Sequence, residues 1–221
     1  MTQQESSITT TLYLVRHGET DLNRERIVQG RGVNPPLNAL GRQQAALLGA
    51  HAKDWNLDVI YTSTLRRAGE TAHIIAKACP EIPVLSLESL EEMSWGVYEG
   101  KAMSPERREA FTKMRDAWQA GNYAYKVEGG ESALDVQARA IESRDAIMAQ
   151  HQGARILVVS HGRFLRLLLA TLLPEYGLER MEELKHANTC VNHLTHDGTR
   201  YTAVTLNDTT HLAPLQDSQP S

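Results

Sequence analysis

Ile156-Leu157-Val158-Val159, then Ser160-His161-Gly162-Arg163, then Phe164 through Leu173 is the stretch whose reading decides the fold. Four consecutive apolar residues mark the most strongly apolar strand in the chain, and the run from Phe164 reads as the helix after it. Working outward, the same alternation recurs. Ser132 opens a helix with Leu134, Ala138, Ile141 and Met148 on one stripe, and Ser104-Pro105-Glu106 is a cap followed by Pro at the first helical position, opening a charged helix towards Gly121. Val84-Leu85 and Val59-Ile60-Tyr61 are extended runs, the latter followed by a helix from Thr64 to about Ala78. Leu12-Tyr13-Leu14-Val15 is a further buried strand, and Ala45, Leu48, Ala52 and Trp55 recur at helical spacing after a capping Asn38. On the other side, His193 to His196, Asp197-Gly198 and Tyr201 to Thr205 predict a terminal hairpin with a two-residue turn.

Strands separated by helical segments predict an α/β fold, a three-layer α/β/α sandwich with a mostly parallel central sheet and an antiparallel edge strand from the hairpin. One domain spans 11–212, with a helical insertion over one sheet edge at about 94–130, where no strand candidate occurs. The polar segments 1–10 and 213–221 are expected to be loose tails.

Composition narrows the function. Lys and Arg number 23 and Asp and Glu 27, a formal charge of −4, and no basic block is present, which argues against a nucleic-acid partner. The two cysteines, Cys79 and Cys190, make neither a disulfide framework nor a Cys-rich zinc site. No segment reads as membrane-spanning or as a signal peptide, so a cytoplasmic protein is expected.

In open α/β sheets ligands bind beyond the carboxyl ends of the strands. After Leu12–Val15 come Arg16-His17-Gly18-Glu19-Thr20; after Val59–Tyr61 come Thr62-Ser63-Thr64-Leu65-Arg66-Arg67; after Ile156–Val159 come Ser160-His161-Gly162-Arg163. Three strands thus deliver Arg, His, Arg and His to one rim, and glycines 18 and 162 would let backbone approach a ligand. Such a rim suits a tetrahedral oxyanion, since arginine forks match phosphate oxygens and helix starts favour anions. A neutral imidazole can attack phosphorus and hold the phosphoryl group, with neighbouring guanidinium groups keeping it neutral. A proton donor for the leaving alcohol is expected from Glu91-Glu92.

Leu14-Val15-Arg16-His17-Gly18-Glu19-Thr20, with Asn23 and Gln29-Gly30, resembles the signature of the histidine phosphatase superfamily, the phosphoglycerate mutase-like family. The resemblance runs from about Leu12 to Leu212. It takes in the segments beginning at Leu37, Thr62, Glu92 and Gly129, Glu99-Gly100, and Val159-Ser160-His161-Gly162. It implies that His17 is the phosphorylated nucleophile, that Arg16, Arg66 and His161 form the phosphate pocket, and that Glu92, four residues before Gly96, is the acid/base. Asn23, Gln29, Gly30 and the Gly162 amide are implied as further phosphate contacts, and Glu19 as the holder of an arginine. No metal and no organic cofactor are implied.

The expected function is metal-independent hydrolysis of a small phosphorylated metabolite. Its alternatives are a phosphoglycerate mutase and a phosphate- or phosphopeptide-binding module without turnover. Ser160 beside His161 is a poor serine-hydrolase pair, because adjacent residues cannot make the usual contact and no Gly-x-Ser-x-Gly elbow exists. Gly129-Gly130-Glu131-Ser132 favours the phosphatase branch. His211 resembles the substrate-reading histidine of metal-independent phosphoserine phosphatases, although Trp95 stands where those enzymes often carry another histidine. Trp95 is then a flat wall for an organic phosphate, and Arg107, Arg108 and Lys113 are candidates to reach an anionic substrate. The free sheet edge near the hairpin is the expected site for pairing of a second copy.

Overall fold

Alternating two-sided burial along the strands is what organises the chain. In the computed structural model, which describes residues 9–216, the strands are β1 Thr10–Arg16, β2 Val59–Ser63, β3 Val84–Leu87, β4 Arg155–Ser160, β5 Val191–His196 and β6 Tyr201–Asp208. They form one sheet in the order β3-β2-β4-β1-β5-β6, with β3, β2, β4 and β1 mutually parallel, β5 antiparallel to β1 and β6 antiparallel to β5. Strand side chains point alternately to the two faces. Tyr13, Val15, Ile60, Leu157 and Val159 therefore meet helices α2 (Ala39–Ala52) and α3 (Arg66–Ala78) on one face. Leu12, Leu14, Val59, Tyr61, Ile156 and Val158 belong to the core on the other face, with α4 (Pro105–Gln119), α5 (Ala133–Gln150) and α6 (Gly162–Leu172). Here α1 is the short Asp21–Arg24 turn. Each fully buried Leu or Ile on these faces contributes roughly 1.5–3 kcal/mol. The three-layer reading holds.

Caps set the helix starts as the sequence indicates. Asn38 accepts from Gly41 N–H, Ser104 from Arg107 N–H with Pro105 beside it, and Ser132 forms a reciprocal capping box with Asp135. Several expectations change. On α5 the core-facing stripe is Ala133, Val136, Ala140 and Ile147, whereas Leu134 is exposed and Met148 only partly buried. The true stripe is out of phase with the predicted one and admits a polar member, Ser143, whose hydroxyl is satisfied by the Arg139 carbonyl.

The hairpin turns through Asp197 to Arg200, because the Asp197 carboxylate accepts from the Thr199 N–H, the Thr199 hydroxyl and the Arg200 N–H and builds a longer loop. The insertion joins the α5–α6 core through Met114 and Trp118, and an antiparallel bridge between Trp95 and Gly130 closes its base. Thr10 is buried in β1, and Ala213–Gln216 forms a helical turn. The remaining tail residues, 1–8 and 217–221, lie outside the described segment. Among the described residues no helix is long and apolar enough to cross a membrane.

Candidate active site

Strand register brings the two histidines together. Arg16 at the end of β1 pairs with Ser160 at the end of β4, and the His17 N–H donates to the Ser160 carbonyl at 3.0 Å. β2 flanks β4 on its other side, so its last residue, Ser63, reaches His161: Oγ lies 2.8 Å from His161 Nε2. The His17 and His161 ring centres are 5.1 Å apart, and the two residues are 2% and 0% exposed.

His17 Nδ1 lies 2.7 Å from the Gly18 carbonyl oxygen. A carbonyl only accepts, so the proton sits on Nδ1 and Nε2 carries the lone pair. Burial first, then the charges of Arg67 and Arg16, hold the His17 pKa well below the ordinary histidine value. The imidazole is a neutral base at physiological pH.

The cationic partners come from two elements. Arg16 donates to the His186 carbonyl at 2.8 Å. Arg67, 1% exposed, donates to the Gly30 carbonyl at 2.8 Å and the Val33 carbonyl at 3.1 Å, and burial lowers its pKa to about 10, still cationic at neutral pH. In both guanidinium groups Nε is buried without a partner, as are Gln29 Oε1 and His161 Nδ1. Unmatched buried polar atoms in one place mark where a ligand completes the hydrogen bonding.

Arg16, His17 and Arg67 border a cavity of about 320 Å³ lined also by Asn23, Gln29, Gly30, Glu92, Trp95 and Gly162. Asn23 Oδ1 is occupied by Thr20 and by Asn188 Nδ2, which leaves the Asn23 amide as a donor. Glu92 lies at the start of α6, where its carboxylate accepts from the Phe164 N–H at 2.9 Å, the Arg163 N–H at 3.2 Å and its neighbour Met93 N–H at 2.9 Å. No side chain caps α6 at His161, so Glu92 supplies acceptors for two of the free N–H groups.

Residues 12–209 match the histidine phosphatase superfamily (branch 1). The chain belongs to that superfamily. It is 33% identical over 218 residues to the probable phosphoglycerate mutase GpmB of Salmonella choleraesuis, covering 93% of this chain and 97% of that protein. Among solved structures it is similar to YhfR of Bacillus stearothermophilus, with TM-score 0.81, 34% identity and coverage of 92% and 99% of the two chains. It is also similar to a phosphoserine phosphatase variant from Entamoeba histolytica in complex with phosphoserine, with TM-score 0.79, 25% identity and coverage of 92% and 99%.

Of the residues singled out by the resemblance, Arg16, His17, Asn23, Gln29, Gly30, Glu92 and Gly162 line the cavity, whereas His161 does not line it and packs against His17 with ring centres 5.1 Å apart. Glu91 points elsewhere, paired with Arg31 at 2.6 Å and bonded to the Thr64 hydroxyl. One arginine must be corrected. Arg66 is 60% exposed and paired with Glu70 at 2.7 Å, and Arg67 takes the pocket position. The buried face of α3 carries Arg67, Ala68, Thr71, Ala72 and Ile75, so residue 67 lies on the inward stripe and residue 66 does not.

Two supporting residues also differ from expectation. Glu19 bonds the Asn38 side chain at 2.8 Å, holding the α2 cap and no arginine. Gly18 serves packing, because a Cβ there would stand 2.5 Å from the Gly41 carbonyl oxygen in the first turn of α2.

Of the specificity candidates, Trp95 lines the cavity, 7% exposed and 5.0 Å from the Phe111 ring. His211 does not line it. That ring is buried with Nε2 3.1 Å from the Thr189 hydroxyl and stacks against His51. Arg108 and Lys113 border a separate surface hollow on α4, and Arg107 is buried against the Lys101 carbonyl.

The sequence reading missed Arg26, Arg163, Arg166 and His186, all of which line the cavity. Arg163 and Arg166 both pair with Glu182, and the Arg163 guanidinium lies 5.7 Å from the Trp95 ring centre and 5.6 Å from that of Trp118. His186 Nδ1 faces the Leu184 carbonyl at 3.1 Å, and burial pushes its pKa down to about 3. Among the described residues no group of three or more His, Cys, Asp or Glu side chains could hold a metal ion.

Proposed function

We propose that this protein is a phosphomonoesterase that hydrolyses a small organic phosphate through a phosphohistidine at His17. The observation that carries the reading is a neutral imidazole anchored through Nδ1 in a cavity that it shares with Arg16, the buried Arg67 and the Glu92 carboxyl. Nε2 attacks phosphorus as the bond from phosphorus to the ester oxygen breaks, and Glu92, in its acid form, gives its proton to the departing alkoxide. Water then attacks the phosphohistidine, Glu92 takes a proton from it, and inorganic phosphate leaves with His17 restored. Arg16, Arg67, the Asn23 amide and the Gly162 N–H neutralise the equatorial oxygens, which is most of what phosphoryl transfer asks of a protein. On this reading the reaction needs no metal.

Beyond the phosphate site the wall is made of Arg26, Arg163, Arg166, Trp95 and neutral His186. That lining supports an organic half with a flat or polar body.

A second reading, phosphoglycerate mutase, is favoured by the GpmB relationship over nearly the whole chain. Turnover of p-nitrophenyl phosphate in EDTA, beside His17→Ala, and a parallel assay of monophosphoglycerate interconversion separate the two. Phosphate release that survives EDTA and disappears in the variant supports the phosphatase. Interconversion with little phosphate release supports the mutase, and binding without either reaction overturns both.

A further inference from the structure

Ser63 is wholly buried at the end of β2, and the reaction outlined above gives it no part. Among the described residues its hydroxyl oxygen has two partners. It accepts the Leu65 N–H at 3.2 Å, and it faces His161 Nε2 at 2.8 Å. His161 is equally closed to solvent, and its other ring nitrogen, Nδ1, is buried with no partner. Burial first, then the positive charges of Arg67 and Arg16, keep this imidazole neutral, so it carries a single proton.

Two placements of that proton exist. With the proton on Nε2, the imidazole donates to Ser63, the serine's own proton finds no acceptor, and Nδ1 becomes a bare lone pair. A lone pair beside a phosphoryl group repels it. With the proton on Nδ1, the serine hydroxyl donates to Nε2 and accepts from Leu65, so both of its roles are filled. Nδ1–H is then a donor awaiting an anion. Only the second arrangement satisfies the serine and suits an anion at the neighbouring His17.

We propose that Ser63 is a positioning residue whose hydroxyl donates to His161 Nε2 and holds the imidazole as the Nδ1–H tautomer, which presents that proton to the phosphoryl oxygens. The inference rests on the phosphatase reading for its kinetic consequence, but the tautomer itself does not depend on turnover.

The test uses the full-length protein with 15N-labelled histidine and long-range proton–nitrogen correlation, with His161→Gln to assign the signals, alongside p-nitrophenyl phosphate kinetics. The wild type is expected to show His161 protonated at Nδ1 and unprotonated at Nε2, both without ligand and with vanadate. Ser63→Ala should lose that fixed tautomer and lower kcat by about tenfold to a hundredfold, the range for removing an outer hydrogen-bond partner. Ser63→Thr, which keeps the hydroxyl, should retain the tautomer, and Ser63→Ala should add less than about twofold in a His161→Ala background. An Nε2-protonated His161 in the wild type overturns the proposal even if Ser63→Ala fails to fold. An undiminished Ser63→Ala penalty in the His161→Ala background also overturns it. If the tautomer is as expected but no phosphate ester is hydrolysed, the phosphatase reading fails and the serine assignment stands.

Discussion

The two sides of the cavity are built by different means. The His17 side hangs on strand register: Arg16-His17 and Ser160-His161 leave adjacent parallel strands at the same level, fixed by backbone pairing along β1 and β4. The Glu92 side has no such frame. Glu92 and Trp95 belong to a loop between a short 3-10 turn and the insertion, held by side chains that grip backbone.

Arg139 donates to the carbonyls of Ser89, Glu91 and Glu92 and pairs with Glu131 at 2.8 Å, while Glu131 accepts the Ser94 N–H at 2.7 Å. Glu99 accepts the Trp95 and Gly32 N–H groups and so ties this loop to the one carrying Gln29 and Gly30. Gly96 adds a constraint: with φ +53 and the Glu128 carbonyl against it, no side chain fits. The lesson is that His17 shares the frame of the sheet, whereas Glu92 depends on a few polar contacts made by side chains.

The sharpest way to break this contrast is at its two centres. His17→Ala should lower phosphatase turnover by about 10⁴-fold or more with little change in fold, as removal of a nucleophile does, read as phosphate release and circular dichroism. Arg67→Ala should cost about 10²–10³ in kcat/KM, the scale for one transition-state donor, while Arg66→Ala stays within about threefold in the same assay. An equal loss at both positions would refute the inward assignment of Arg67.

Next comes the clamp. Arg139→Ala breaks a pair that is 16% and 17% exposed and strands three carbonyls, so it should destabilise by about 3 kcal/mol and lower kcat by roughly tenfold to a hundredfold. A conservative change in the β1–β4 core, such as Val158→Ala, should instead lower stability in denaturant by about 1–3 kcal/mol and leave kcat within a few-fold. The reverse outcome would erase the distinction between the two sides.

The dependence on pH is read in stability alone. His17, His161, His186 and His211 all have folded pKa values below the ordinary histidine value, the last two at about 3 and about 4. Below about pH 6.5 the unfolded chain binds protons there that the folded protein refuses. Stability should therefore be level above that pH and decline as pH falls beneath it, by up to about 1.4 kcal/mol per pH unit for each such group. Urea midpoints from pH 8 to 4.5 measure it. His17→Ala should flatten the slope.

What the sequence disclosed follows the same division. Strand ends are legible because apolar runs are, so the sequence places Arg16, His17 and His161 on one rim, whereas only the family resemblance, which sets a glutamate four residues before Gly96, separates Glu92 from Glu91. Arg66 and Arg67 were separable in principle. The positions 67, 68, 71, 72 and 75 form the apolar-facing stripe of α3, but its phase depends on a start at Arg66 that no side-chain cap marks. The α5 phase was misread because Ala and Ser hold inward positions that Leu and Met would be expected to fill. Arg163, Arg166 and His186 were out of reach, since the first two look like polar residues of an amphipathic helix and His186 lies in an irregular segment between Glu183 and Val191.

The unmatched nitrogen and oxygen atoms around His17 have a practical consequence. A ligand that satisfies them binds only the native state, so occupancy should appear as heat resistance, about 2.7 kcal/mol at a hundredfold excess over Kd, or some 5–10 °C for a chain of this size. The same atoms that ready the pocket for an oxyanion thus make the melting curve a chemistry-free detector, and a metabolite library screened against His17→Ala would report which compound the cavity was shaped to receive.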